Sequence, residues 1–211
     1  MSTEVPGATR PLRADAVRNS EKLLRAAREI FAEQGPDAPL EDIARRAAVG
    51  ISTLYRHFPD KAVLVRAALT QHYAEEVAPV IEQSLSDEDP RRGLTTAVEA
   101  AVSSAAHQYN LLAAARVSGA LSMETTTLFF DSLAPLIERG QRAGAIRGDL
   151  TLDDVRRIMV MLVGILWTVD PVTEDWRRYV LLVLDALSPE GASPLPPASP
   201  MALELFGEQR V

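Results

Sequence analysis

A chain of 211 residues, 47% of them apolar, holds enough core material for one large domain or two modest ones, and its lack of cysteine excludes disulfides, thiolate metal sites and cysteine nucleophiles together. The net charge of −7 is unevenly spread: residues 1–70 carry 11 Lys and Arg against 9 Asp and Glu, a net of +2, whereas 71–211 carry 11 against 20, a net of −9. A faintly basic head on an acidic body can offer only the head to a polyanion.

Residues 1–17, rich in Pro, Gly, Ser and Thr, read as a flexible arm, and residues 1–20 contain no apolar segment of the kind a signal peptide needs. Together with the missing cysteines this leads us to expect a cytoplasmic protein. A first helix is predicted over about 17–34, where Leu23, Leu24, Ala27, Ile30 and Phe31 recur at spacings of three and four until Gly35-Pro36 stops it. A short second helix is predicted over 39–47, with Pro39 in its first turn, Glu41 and Asp42 at its positive end, and Leu40, Ile43, Ala44 and Ala47 facing inward. Val49-Gly50 breaks the chain, and a third short helix follows over 51–57. Asp60 then supplies an N-cap for a helix starting at Lys61.

The rest reads as helical too, over about 61–85 (kinked or ended near Pro79), 90–108, 109–118, 122–143, 151–169 and 173–187. Thr151 with Asp154 forms a capping box. The longest apolar run, 158–169, is too short to span a bilayer. Prolines at 189, 194, 196, 197 and 200 mark a tail expected to be disordered. The expected fold is all-α: an arm (1–17), an N-terminal three-helix domain (18–66), a larger C-terminal helical domain (67–188), and a Pro-rich tail (189–211).

Two short helices joined by a turn have the geometry of a helix-turn-helix, whose second helix must expose one face bearing groups that donate to phosphates and base edges. In the third helix Leu54 and Phe58, four apart, suit anchoring. The other face carries Ser52, Thr53, Tyr55, Arg56 and His57, all donors and none acidic. Gly50 allows close approach of backbone to DNA, and Lys61 adds a cation at a helix N-terminus.

The stretch Leu40-Glu-Asp-Ile-Ala-Arg-Arg-Ala-Ala-Val-Gly-Ile-Ser-Thr-Leu-Tyr-Arg-His-Phe-Pro-Asp-Lys61 closely resembles the signature of the TetR family of transcriptional regulators, and Ala26-Ala27 with Ile30-Phe31 running into Gln34-Gly35 matches the same domain. The resemblance covers residues 18–70 and implies roles. Thr53, Tyr55, His57 and Lys61 match phosphate-holding positions, and Gly50, Ile51, Ser52 and Arg56 match positions on or near the base-reading face. Many members have Ser, Lys and Gly where this chain has Gly50, Ile51 and Ser52, so a capping hydroxyl and a cation are missing and the operator sequence stays open. Arg10, Arg13 and Arg18 belong to a solvated arm with backbone or minor-groove contact as the alternative, and Arg45 and Arg46 read as surface charges.

In the body, residues 158–167 and 179–184 are apolar around nearly their whole circumference, so both helices need cover on more than one side. Paired across a two-fold axis they would form a four-helix bundle, with Gly164 permitting close contact. The resemblance implies the same homodimer, bound to double-stranded DNA with a palindromic operator, and an effector pocket among the middle helices of the body. Pocket candidates are His72, His107, Tyr109, Arg116, Met123, Phe129, Phe130 and Trp167. Arg116 stands out because it sits in the otherwise apolar stretch 111–117. The function expected is a transcriptional regulator, in the first place a repressor released by a small molecule.

Two rival readings compete with this one. An enzyme is disfavoured because His57, His72 and His107 lack metal-ligand spacing, no Gly-rich phosphate loop exists, and the carboxylate pairs Asp153-Asp154 and Glu75-Glu76 sit at a helix start or on a solvated face. No catalytic residue, metal or cofactor is expected. A protein-interaction or signalling module is disfavoured by the donor-only face of 52–57.

Overall fold

The computed structural model describes residues 9–121, 123–170 and 173–198, and the side chains of these apart from 9–14 and 123–129. Among the described residues the chain is helical without a strand, as expected. The helices are α1 (Thr9–Gln34), α2 (Leu40–Arg46), α3 (Ile51–His57), α4 (Lys61–His72), a π-helical turn (Tyr73–Val77), α5 (Ala78–Leu85), α6 (Pro90–His107), α7 (Tyr109–Ser118), α8 (Met123–Arg142), α9 (Leu152–Ile165) and α10 (Trp176–Ala186).

Helix α1 begins at Thr9, eight residues before the start read from the apolar stripe. The early residues carry no core stripe, so periodicity is blind to them. Leu12, Ala14 and Ala16 nevertheless favour helix, and Pro11 falls in the first turn, where a missing N–H is harmless. Pro39 sits at the N-cap of α2, outside the helix. The turn after α2 closes with Val49 N–H donating to Ala44 C=O (3.0 Å) and Ala48 N–H to Arg45 C=O (3.1 Å). Ala48 takes the left-handed conformation there, with φ 54°, at a position where glycine is the relaxed choice.

Asp60 caps α4 as read from sequence, its carboxylate accepting from Val63 N–H at 2.8 Å. Pro79 closely follows an interruption of the helix, where the sequence predicts a kink or an end. Its ring has no N–H and crowds the preceding turn, and the chain widens into the π-helical turn Tyr73–Val77 just before it. Asp89 caps α6 (Arg91 N–H donating at 2.9 Å), and the Thr151–Asp154 capping box of α9 is present, with bonds of 2.9 and 3.2 Å. Helix α9 ends at Ile165, four residues short of expectation. Residues 166–168 continue only as i→i−3 turns, ahead of β-branched Thr168 and Val169.

Two cores result. The body core joins the π-helical turn, α5, α6, α8, α9 and α10, with Leu94, Leu133, Leu136, Leu162, Trp176 and Val180 buried. The head core is built from Leu23, Phe31, Ile43, Leu54, Leu64 and Val65 of α1–α4, and it also takes in Leu111, Ala114 and Ala115 of α7. The small alanines let α7 lie close to α1 and α4, so a helix distant in sequence completes the head.

The tail expected to be disordered is tied down in its first part. Arg147 N–H donates to Leu187 C=O (2.9 Å), the Arg147 guanidinium to Ser193 C=O, and Leu195 N–H to the Asp149 carboxylate (2.9 Å). Arg147 first, then that Leu195 N–H, hold the Asp149 carboxyl well below the usual carboxylate range. Residues 199–211 lie outside the described residues.

Candidate nucleic-acid interface

Helix α3 is short because Gly50 precedes it and Pro59 follows it, and it is held by two side chains. Leu54 is wholly covered and Phe58 nearly so, both in the head core. That anchoring turns Ile51, Ser52, Tyr55 and Arg56 outward, with Tyr55 46% exposed, while Thr53 and His57 are half-buried. Among the described residues Arg56 has no carboxylate partner and the Ser52, Thr53 and Tyr55 hydroxyls have no hydrogen bond, so the donor face is unengaged within the molecule. Gly50 has φ −63°, and an added Cβ would meet nothing nearer than Ser52 Oγ at 3.9 Å. The fold itself therefore does not require glycine there.

Two of the sequence-selected residues sit differently from the rest. Lys61 is half-buried, donates to Ala38 C=O at 3.2 Å and lies 5.3 Å from the Phe31 ring centre, so it braces the start of α4 against the turn after α1. His57 stands 6.2 Å from Phe58, ring to ring, and its Nε2 is buried without a partner. The neighbouring charges are spoken for. Arg46 bonds Glu29 (3.0 Å) and Glu33 (2.6 Å), which binds α2 to α1 and lowers the Glu33 carboxyl below its ordinary value. Arg45 pairs with Asp42, and Arg18 with Asp15. The side chains of Arg10 and Arg13 lie outside the described residues.

Sequence reasoning missed the polar links between head and body. Arg28 of α1 meets Glu75 in the π-helical turn at 2.8 Å, and Asn110 of α7 donates to Ala32 C=O at 3.2 Å. No local pattern marks either, because each joins residues far apart in the chain.

Of the pocket candidates, three converge. Tyr109 and Trp167 stack tilted at 4.7 Å between ring centres, and the Arg116 guanidinium lies 4.6 Å from the Trp167 ring centre. The others make separate contacts. His72 Nε2 shares a 2.7 Å hydrogen bond with Ser104 Oγ, and burial, with Arg28 nearby, pushes its pKa down. His107 is exposed, with Nδ1 2.7 Å from Ser103 C=O. Phe130 is buried beneath Arg156 at 6.0 Å. The Met123 and Phe129 side chains lie outside the described residues.

Helices α9 and α10 each bury one face, through Val155, Met159 and Leu162 and through Trp176, Val180 and Leu184. Their other faces leave Val160, Met161, Tyr179, Leu181 and Leu182 open, with Leu182 56% exposed. A Cβ added to Gly164 would meet nothing within 4 Å. No helix among the described residues is long and apolar enough to cross a membrane.

Residues 23–68 match the family model described as bacterial regulatory proteins, tetR family, and residues 89–189 match that of the C-terminal domain of SbtR-like transcriptional regulators. The chain is 39% identical over 80 residues to the HTH-type transcriptional activator FasR of Mycolicibacterium smegmatis, a match spanning 37% of this chain and only 36% of FasR. It is 29% identical over 151 residues to an uncharacterised HTH-type transcriptional regulator of Mycobacterium tuberculosis, covering 67% of this chain and 74% of that one. The crystal structure of a TetR transcription regulatory protein from Mycobacterium vanbaalenii superposes with a TM-score of 0.57 at 32% identity, over 84% of this chain and 99% of that chain. An anchored short helix with an unengaged donor face, on a head and body that both match one family, leaves one assignment: the chain belongs to the TetR family of transcriptional regulators.

Proposed function

We propose that the protein is a homodimeric repressor that holds a palindromic operator through α3 and releases it when a small molecule binds the body. The observation that carries the DNA contact is the division of α3 into a buried Leu54–Phe58 anchor and an outward face of unengaged donors. On this reading Tyr55, Thr53 and His57 hold phosphates, Gly50 lets the backbone come close, and Ile51, Ser52 and Arg56 face the bases. Lys61 keeps two ammonium hydrogens for a phosphate beside its bond to Ala38.

The open apolar faces of α9 and α10 support the dimer, because side chains such as Met161 and Leu182 are covered if two copies pair there. Two recognition helices must then sit about 34–36 Å apart, or a multiple of that, to meet successive major-groove faces. Release follows if a ligand favours a body packing in which that separation is wrong. Helix α7, part of the head core, and the Arg28–Glu75 ion pair offer the mechanical route. The protein acts as a binding protein in the cytoplasm, without catalysis.

The test is a gel shift on the DNA upstream of its own gene, repeated from 50 to 200 mM salt. Binding that does not fall steeply with salt overturns the reading. An activator role is the second reading, favoured by the 39% identity with the activator FasR, and a reporter fused to the same DNA separates the two by the sign of its response to gene deletion.

A further inference from the structure

The geometry points to Tyr109, Arg116 and Trp167 as the binding site for an aromatic or flat apolar small molecule that carries a carboxylate or a phosphate; the inference rests on the effector-release reading above and names the class of effector. The three residues come from α7 and from the segment after α9. Trp167, partly buried, touches both partners, Tyr109 at 4.7 Å between ring centres and Arg116 at 4.6 Å.

Every polar group in this cluster is a donor or can act as one: a guanidinium, an indole N–H and a phenol hydroxyl. Among the described residues none of the three side chains has a hydrogen bond, and Arg116 has no carboxylate partner, although residues 71–211 carry a net charge of −9. Other arginines of the body behave otherwise: Arg156 holds Asp131 and Asp153, Arg177 holds Glu174, and Arg91 holds Asp185. Stacked on Trp167, the planar guanidinium keeps its N–H edge free for a two-pronged grip on an anion and loses less rotamer freedom when it binds one. The aromatic rings supply a flat surface for the rest of the molecule.

Position gives the site a consequence. Tyr109 and Arg116 lie seven residues apart, two turns along one face of α7. Leu111, Ala114 and Ala115, on the other side of the same helix, are buried in the head core against α1 and α4. A ligand gripping Arg116 therefore pulls on a helix that is also part of the DNA-binding head.

The test is calorimetric titration of the full-length protein with phenylacetate, phenyl phosphate and the neutral phenylacetamide, on wild type and Arg116→Gln. We expect saturable binding of at least one acid, with phenylacetamide at least tenfold weaker. Arg116→Gln should weaken the acid at least tenfold and leave thermal unfolding unchanged. Arg116→Lys should recover part of the affinity, since charge survives and the fork does not. Binding of phenylacetate alone, or of phenyl phosphate alone, identifies which anion the fork accepts. The site is overturned if neither acid binds, if the amide binds as well as the acids, or if Arg116→Gln binds them undiminished. A gel shift with the same compounds separates this from the parent reading. Acid binding at Arg116 without DNA release keeps the site and sinks the release mechanism. Release by a neutral compound, unaffected by Arg116→Gln, does the reverse.

Discussion

Arg28 in the head and Glu75 in the π-helical turn of the body meet at 2.8 Å, 47 residues apart in sequence. The Arg28 side chain is only 17% exposed, while Glu75 is 43% exposed. The pair spans the junction that any signal from body to head must cross. Its strength is limited by solvent around Glu75, which places its coupling energy at about 0.5 kcal/mol. A double-mutant cycle with Arg28→Gln and Glu75→Gln, read by thermal unfolding, should return a coupling near that size. A coupling of zero would mean the ion pair is only a surface contact.

Arg56 and Tyr55 are neighbours on α3 to which the proposed function gives different tasks. Arg56→Ala should change the ranking of operator variants, with about 1–3 kcal/mol lost at one base position. Tyr55→Ala should weaken all sites by a similar factor. Competition titrations on a set of single-base operator variants check both, and an unchanged ranking for Arg56→Ala removes its base-reading role.

His72 ties stability to pH. Its folded pKa lies below the ordinary 6.5, chiefly through burial and secondly through Arg28. In the window between the folded value and 6.5 the unfolded chain binds the proton and the folded one does not, so stability falls as pH drops through that window and is undiminished above 6.5. Chemical denaturation at pH 7.5 and 5.5 should show a smaller loss for His72→Gln than for wild type. An equal loss in both would show that His72 does not contribute.

Met161 and Leu182 protrude from α9 and α10 at 57% and 56% exposure. A carboxylate at either place would have to be desolvated against its counterpart in a symmetric pair. Met161→Asp and Leu182→Asp should therefore halve the solution mass to the 23.0 kDa of one chain. They should also weaken operator binding by at least tenfold while leaving the head folded. Light scattering behind size exclusion reads the mass; a dimer that survives both changes pairs through some other surface.

The head was legible in the sequence because its signals are local. Leu54 and Phe58 four apart, the Asp60 cap and the Gly35 stop depend on neighbours within one or two turns. Local signals also placed α2, α3, α6 and α7 to within a residue or two. They misplaced the start of α1, where helix forms without an apolar stripe. They marked a break near Pro79 but not its form, a π-helical turn just ahead of the proline.

Sequence by itself thus determined the helical class, the helix-turn-helix and the donor face of α3, since periodicity, caps and residue chemistry act over a few residues. Only the tertiary structure decided that α7 completes the head core and that Tyr109, Arg116 and Trp167 share one cluster. It alone decided that Lys61 bonds Ala38, and that Asp149 and Arg147 hold the tail. Those contacts join residues far apart in the chain, 58 positions between Tyr109 and Trp167 and at least 75 between α7 and α1. Which surfaces meet at such range is set by how whole helices pack, a property no short window of sequence contains.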